Sequence, residues 1–176
     1  MTEDEALKVL RAASFAAPET IDAVCALWGT EAGVAAAARL LAAKPESSEV
    51  LWAGTYIYCG AGADPAPLLP LITDKDPAIR LMAAAGLVER GDKRGFAPLI
   101  DLLAEPGLLA LSHPPRSLWS AATHALVRAT GMAELGPPFD ADDAMVAAAH
   151  KRWLSWLQAN DAKLKFAPEQ GEWEVN

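Results

Sequence analysis

The side chains with acid–base, nucleophilic or metal-binding chemistry are few and scattered. His113, His124 and His150 are followed by Pro, Ala and Lys, and none lies in an HExxH or CxxH context. A metal site needs several donors converging on one point, which a histidine without partners at ligand spacing does not provide. Ser112, Ser117 and Ser120 lie near His113 and His124 in sequence only, whereas a nucleophile and its base must touch in space. Asp142-Asp143 is a carboxylate pair, but at a helix start such residues read as a cap and as charges that complement the helix dipole. Cys25 and Cys59 lack CxxC spacing and a nearby histidine. They read as small buried thiols of a reducing compartment, and the sequence leaves a disulfide between them open. No GxGxxG, P-loop or GxSxG string occurs. The expectation is a non-enzymatic chain with no catalytic residues, cofactor or metal.

Charge narrows the range of partners. The formal net charge is −8 and the sequence pI is about 4.8. Nucleic-acid affinity depends on Lys and Arg facing phosphates, so the sign is wrong for that role. The small basic clusters Arg90, Lys93, Arg94 and Lys151, Arg152 do not reverse it. An acidic surface keeps a protein soluble and steers it towards basic partners. The start, Met1-Thr2-Glu3-Asp4-Glu5, is unlike a secretory signal, which begins basic and turns apolar. No uncharged apolar run reaches membrane-spanning length, because Arg39 interrupts the stretch from Ala35 to Ala43. A cytoplasmic protein is expected, binding neither membrane nor nucleic acid.

The elements that carry these residues repeat. Ala66-Pro67-Leu68-Leu69-Pro70-Leu71-Ile72 returns thirty-one residues later as Ala97-Pro98-Leu99-Ile100-Asp101-Leu102-Leu103, with four of seven positions identical and two exchanging Leu and Ile. A period in this range marks stacked supersecondary units, none of which can bury its apolar face alone. Roughly a fifth of the residues are Ala, the best helix former, while Val, Ile and Thr are sparse. The pattern predicts helices capped by Thr2 (with Glu5 in a capping box), opened by Pro18, capped by Thr30, and capped by Ser47 or Ser48. Val50 to Cys59 is apolar nearly all round and is read as a buried helix, although Thr55-Tyr56-Ile57-Tyr58 has strand propensity. Its register agrees, since Ala53 and Tyr56 precede Ala84 and Leu87 by thirty-one. Further helices are expected after Pro65, at Pro77, through Phe96 to Leu103, from Leu118 to Thr130, and from about Ala141 to Asn160. Apolar–charged alternation at Leu164-Lys165-Phe166 and Glu172-Trp173-Glu174-Val175, around Pro168 to Gly171, predicts a β-hairpin packed on the last helix.

The string Asp76-Pro77-Ala78-Ile79-Arg80, followed by Ala83-Ala84, Leu87, Gly91-Asp92 and Leu99-Ile100, resembles the bacterial short HEAT-like repeat of the PBS-lyase type. The pattern is degenerate over 31–72, where Glu49 takes the Arg position, and partial over 117–131, where Trp119 takes it. Ala125 to Gly131, Trp153-Leu154-Ser155-Trp156, Asn160 and the Leu-Lys-Phe…Gly-Glu-Trp tail are similar to the C-terminal end of some bacterial HEAT-repeat proteins. The resemblance implies a curved stack of antiparallel helix pairs that binds other macromolecules. Asp76 is expected to cap its helix and to pair with Arg80 one turn later, a structural role. Enzymes that share the repeat fit poorly. The deoxyhypusine hydroxylases hold iron with His-Glu dipeptides, which are missing here, and the HEAT-like DNA glycosylases need a cationic face. Nothing singles out a bilin site of the phycobilin-lyase kind.

The fold expected is therefore all-α: an α-solenoid of antiparallel HEAT-like helix pairs over 1–160, with a small C-terminal β-hairpin cap over 161–176. Its function is expected to be that of a protein-binding adaptor or scaffold with a protein partner, a basic one being favoured by charge. An immunity-type inhibitor masking a basic toxin and an enzyme with an unrecognised pocket are the alternatives, and the oligomeric state is left open. A concave face is expected to carry residues around Arg39, Pro70 and Asp101, and the further candidate partner-binding residues are Glu105 and Leu108, Leu109, Leu111 and His113, the last four in the loop from Leu108 to Pro115. Trp28, Trp52, Trp119, Trp153 and Trp156 fall on apolar faces and are expected mostly in the core, with Trp173, Tyr56 or Tyr58 as candidate partner anchors.

Overall fold

The structure, a computed structural model, describes residues 1–62, 64–109 and 116–176. The chain is mostly helical and ends in a two-stranded antiparallel hairpin. It divides into two compact units, Met1–Pro70 and Leu71–Asn176. The division falls inside the first copy of the repeated string.

In the first unit each helix begins where the sequence supplies a cap. Helix α1 (Glu3–Arg11) starts with a capping box: the Thr2 hydroxyl accepts from the Glu5 N–H, and the Glu5 carboxylate accepts from the Thr2 N–H. Helix α2 (Pro18–Cys25) has Pro at its first position, where no N–H is needed. Thr30 caps α3 (Glu31–Ala42), and Ser47 caps α4 (Ser48–Ala61). The stretch with strand propensity is thus helical, because its neighbours bury Val50, Ala53, Ile57 and Tyr58. Helix α3 packs against α1 and α4. Its buried face is small at Ala36 and Ala37 and large at Leu40 and Leu41, so backbones approach closely on one turn and Leu fills the next.

The two copies of the repeated string fold differently. Ala66–Thr73 is a 3-10 helix with Pro70 inside it. Proline lacks a backbone N–H and its ring clashes with the carbonyl four residues back, so Pro70 opposes an α-helix through this segment. In the second copy Asp101 stands at that place and keeps its N–H, and the segment forms α6 (Phe96–Asp101).

The second unit is built on α5 (Pro77–Glu89), capped by the Asp76 carboxylate on the Ala78 N–H at 2.9 Å. Arg80 does not pair with Asp76 as expected. Its guanidinium donates to the carbonyls of Asp74 and Lys75 and forms an ion pair with Glu105, so one cation ties the turn before α5 to the chain after α6. Strands β1 (Leu108–Leu109) and β2 (Arg116–Ser117) pair antiparallel, and Ser117 then caps α7 (Leu118–Thr130). Asp142 caps α8 (Asp143–Asn160) through the Met145 N–H. Helix α6 packs against α5, α7 and α8. Phe96, Leu99, Ile100, Leu126, Ala149 and Trp153 meet in the core.

Strands β3 (Leu164–Ala167) and β4 (Glu172–Val175) form the C-terminal hairpin, with Phe166 opposite Trp173 and Lys165 opposite Glu174. Trp173 is buried against Phe96 and donates its indole N–H to the Val88 carbonyl at 2.9 Å, at the end of α5. The Val88 carbonyl also accepts from the Gly91 N–H at 3.1 Å, so the indole is a second donor on this helix-end oxygen. Phe166 lies over Gly91, where a Cβ would come within 2.6 Å of the ring, and Gly91 has a φ of +76° that L side chains rarely adopt. The hairpin belongs to the core of the second unit, and Trp173 is held there rather than offered to a partner. Trp173→Ala is expected to cost about 3–5 kcal/mol in unfolding free energy. Trp173→Phe keeps a ring and is expected to cost about 1 kcal/mol, mainly through the lost indole hydrogen bond, because the Val88 carbonyl keeps the Gly91 N–H at 3.1 Å. Denaturant unfolding of both variants checks this order, and equal costs would show that the indole hydrogen bond contributes nothing.

Candidate functional site

The structure scatters the residues expected to bind a partner. Arg39 is exposed on α3 and paired with Glu3 at 2.7 Å and Asp4 at 3.0 Å, which ties α3 to the first turn of α1. Asp101 is exposed at the end of α6. Glu105 is engaged by Arg80. Leu108 is 67% exposed, whereas Leu109 packs against the core of the second unit. Leu111 and His113 lie outside the described residues. His124 is exposed, while His150 is only partly so and its Nε2 is buried. Among the described residues no group of three or more His, Cys, Asp or Glu is placed to hold a metal ion, and no helix is long and apolar enough to cross a membrane.

Two open grooves, about 510 and 460 Å3, flank the start of α3. Their ionisable side chains are the carboxylates of Glu3, Glu31 and Asp64 and the phenol of Tyr58. Neither groove brings a histidine, cysteine or lysine side chain to these groups.

The feature the sequence reading missed is a row of aromatic rings on the first unit. Phe15 packs edge-on against Trp52 at 5.4 Å, Trp52 stacks on Tyr56 at 5.2 Å with planes 7° apart, and Tyr56 meets Trp28 at 4.5 Å. The row ends in solvent at both sides, with Phe15 41% and Trp28 46% exposed. Trp28 was expected in the core, and Cys25 was expected as a buried thiol; both are exposed.

Helix geometry explains the error. Val24 and Leu27 are fully buried, and they fill the inner face of α2 and the turn that follows it. Cys25 and Trp28 come one residue later, about 100° further round a helix, so they face outward together with Asp22. On α4 the inward residues are Val50, Ala53 and Ile57, and Glu49, Trp52 and Tyr56 form the neighbouring stripe. The available signal was this one-residue offset between the small buried set and the aromatic set.

The row is built rather than accidental. The Trp28 ring lies on Gly60, where a Cβ would fall 2.8 Å from the indole, so the ring can seat only because that position has no side chain. The Phe15 N–H donates to the Glu49 carboxylate at 2.9 Å, which fixes the loop carrying the first ring to α4. Burial raises the Tyr56 phenol above its ordinary value, and the adjacent Cys25 thiol adds to the shift. The face presents π surfaces, a thiol and carboxylates, with Asp22 and Glu19 exposed on α2 and Glu49 partly exposed on α4. Such a surface can stack and can attract cations.

A scan against protein-family models finds no match to the chain, and searches of curated proteins and of solved structures find none either.

Two measurements check this geometry. Gly60→Ala is expected to displace the Trp28 ring, shifting its indole N–H resonance and costing about 1–2 kcal/mol, whereas an unchanged resonance would mean the ring does not rest there. The raised phenol gives a second. Between the ordinary tyrosine value near 10 and the higher folded value, the folded chain holds one more proton than the unfolded chain. Stability from this source is therefore intact below about pH 10 and falls as pH rises through the folded value. Absorbance titration should show a late-ionising tyrosine that disappears in Tyr56→Phe.

Proposed function

We propose that the chain is a non-enzymatic protein-binding module, a HEAT-like adaptor or scaffold whose docking surface is the aromatic face of α2 and α4. The observation that carries this reading is the continuous row Phe15–Trp52–Tyr56–Trp28 with both ends in solvent. Large aromatic side chains are the commonest energetic anchors of interfaces, and contiguous exposed apolar surface marks a place where something binds. The ordered contacts with Gly60 and Glu49 keep the rings pre-arranged, which lowers the entropy cost of binding.

The finer architecture, an α-solenoid of antiparallel HEAT-like helix pairs, is part of the same proposal. Its support is the thirty-one-residue repeat, together with full burial at the matched positions Ala53 and Ala84. A stoichiometric inhibitor of a basic protein is the narrower form of this reading. It is favoured by the carboxylates beside the rings and the net charge of −8.

Affinity capture with the wild-type chain and with Trp28→Ala tests the reading. A protein retained by the wild type at low salt and lost with Trp28→Ala, while the variant stays folded and unfolds cooperatively, is the expected result. Identical retained proteins for both chains, or none for either, would count against a docking role for this face.

A further inference from the structure

The aromatic face has a charge pattern that identifies the chemistry of its occupant. Between Ala12 and Ala38 the chain contains Glu19, Asp22 and Glu31 but no Lys or Arg, and between Pro45 and Asp74 it again contains carboxylates and no Lys or Arg. These two stretches supply every ring of the row. The bordering cations lie at their edges: Arg11 ends α1, Arg39 is paired with Glu3 and Asp4, and Lys44 lies between α3 and α4. Rings carried on stretches whose charged residues are all acidic attract cations twice, through the ring quadrupole and through the carboxylates.

We propose that this face takes an arginine side chain of an extended, basic protein segment, the guanidinium stacking at Trp28 and Tyr56 with Asp22 as its counter-charge. Arginine rather than lysine is the fit because a planar, weakly hydrated guanidinium stacks on aromatic rings while its edge N–H groups still reach a carboxylate. Trp28 provides the exposed surface, being 46% accessible although one side rests on Gly60. Asp22 is exposed on α2, three residues before Cys25 and so within one turn of it, and the Cys25 thiol is adjacent to Tyr56. Phe15 and Trp52 extend the platform for the aliphatic part of the same segment. The inference rests on the reading of this face as a protein-docking surface, and it adds the charge and shape of what is docked.

The test uses the full-length chain and two capped peptides, acetyl-Gly-Arg-Gly-Arg-Gly-amide and the same peptide with citrulline in place of arginine. Citrulline keeps the shape and removes the charge. Titrations are followed through the indole N–H resonances. The expected result is a saturable shift of the Trp28 resonance with the arginine peptide and a much smaller one with citrulline. Affinity should fall about tenfold in Trp28→Ala and weaken in Asp22→Asn and at high salt. Equal response to both peptides, no response at Trp28, or unchanged affinity in Trp28→Ala would overturn the proposal. The peptide comparison on the wild-type chain needs no variant to fold. A Trp28-dependent protein partner together with equal peptide responses would leave the docking role standing and remove the arginine. A selective arginine response without any Trp28-dependent protein partner would do the reverse.

Discussion

Phe96 stands where the parts of the second unit meet. Its ring centroid lies 5.2 Å from Trp173 of the hairpin and 5.9 Å from Trp156 of α8, and it opens α6 directly after the short 3-10 turn capped by Asp92. The surrounding helices are faced with Ala84, Ala122, Ala129 and Ala149, which bring backbones close but contribute little side-chain volume. The large rings supply that volume, and Trp153 meets Trp156 edge to face in the same cluster. Because so much of the packing passes through one aromatic junction, the hairpin contributes part of the core. A two-stranded ribbon is marginal alone, and it is ordered here by what Trp173 touches.

The same requirement for bulk explains the first unit. Its helices too are faced with Ala and Gly, and aromatic residues occupy the edges where the small faces end. At the repeat spacing of thirty-one, Trp52, Tyr56 and Gly60 correspond to Ala83, Leu87 and Gly91. Ala83 and Leu87 are fully buried, whereas Trp52 and Tyr56 are only partly covered. Both glycines receive an aromatic ring, Phe166 at Gly91 and Trp28 at Gly60. Phe166 is a part of the hairpin and is largely covered, but Trp28 comes from the end of α2 and remains nearly half in solvent.

Local chemistry was legible in the sequence and distant chemistry was not. Thr2, Thr30, Ser47, Asp76 and Asp142 each cap the helix that their spacing announced, because a cap depends on two or three residues ahead. The hairpin followed from its alternation. Arg80 was misassigned because its carboxylate partner, Glu105, lies 25 residues away, and no local pattern distinguishes it from Asp76. Pro70 hid the difference between the two repeat copies, since the strings look alike while one lacks the N–H that an α-helix needs. The aromatic face was missed for a related reason. Trp28 and Cys25 are apolar by composition, and only the full burial of Val24 and Leu27 shows which side of α2 faces inward.

Charge and shape on this face are not independent. A ring row that only filled space would be indifferent to the sign of its border, and an acidic surface that only maintained solubility would not need its rings held in register. Here the Glu49 carboxylate fixes the Phe15 loop through the backbone N–H of Phe15, so one carboxylate both rims the row and positions its first ring. Glu49 lies on α4, which bears Trp52 and Tyr56, and Asp22 and Glu19 lie on α2, which Phe15 precedes and Trp28 follows. Acidic side chains on the segments that carry pre-arranged rings would favour a cation more than either feature alone.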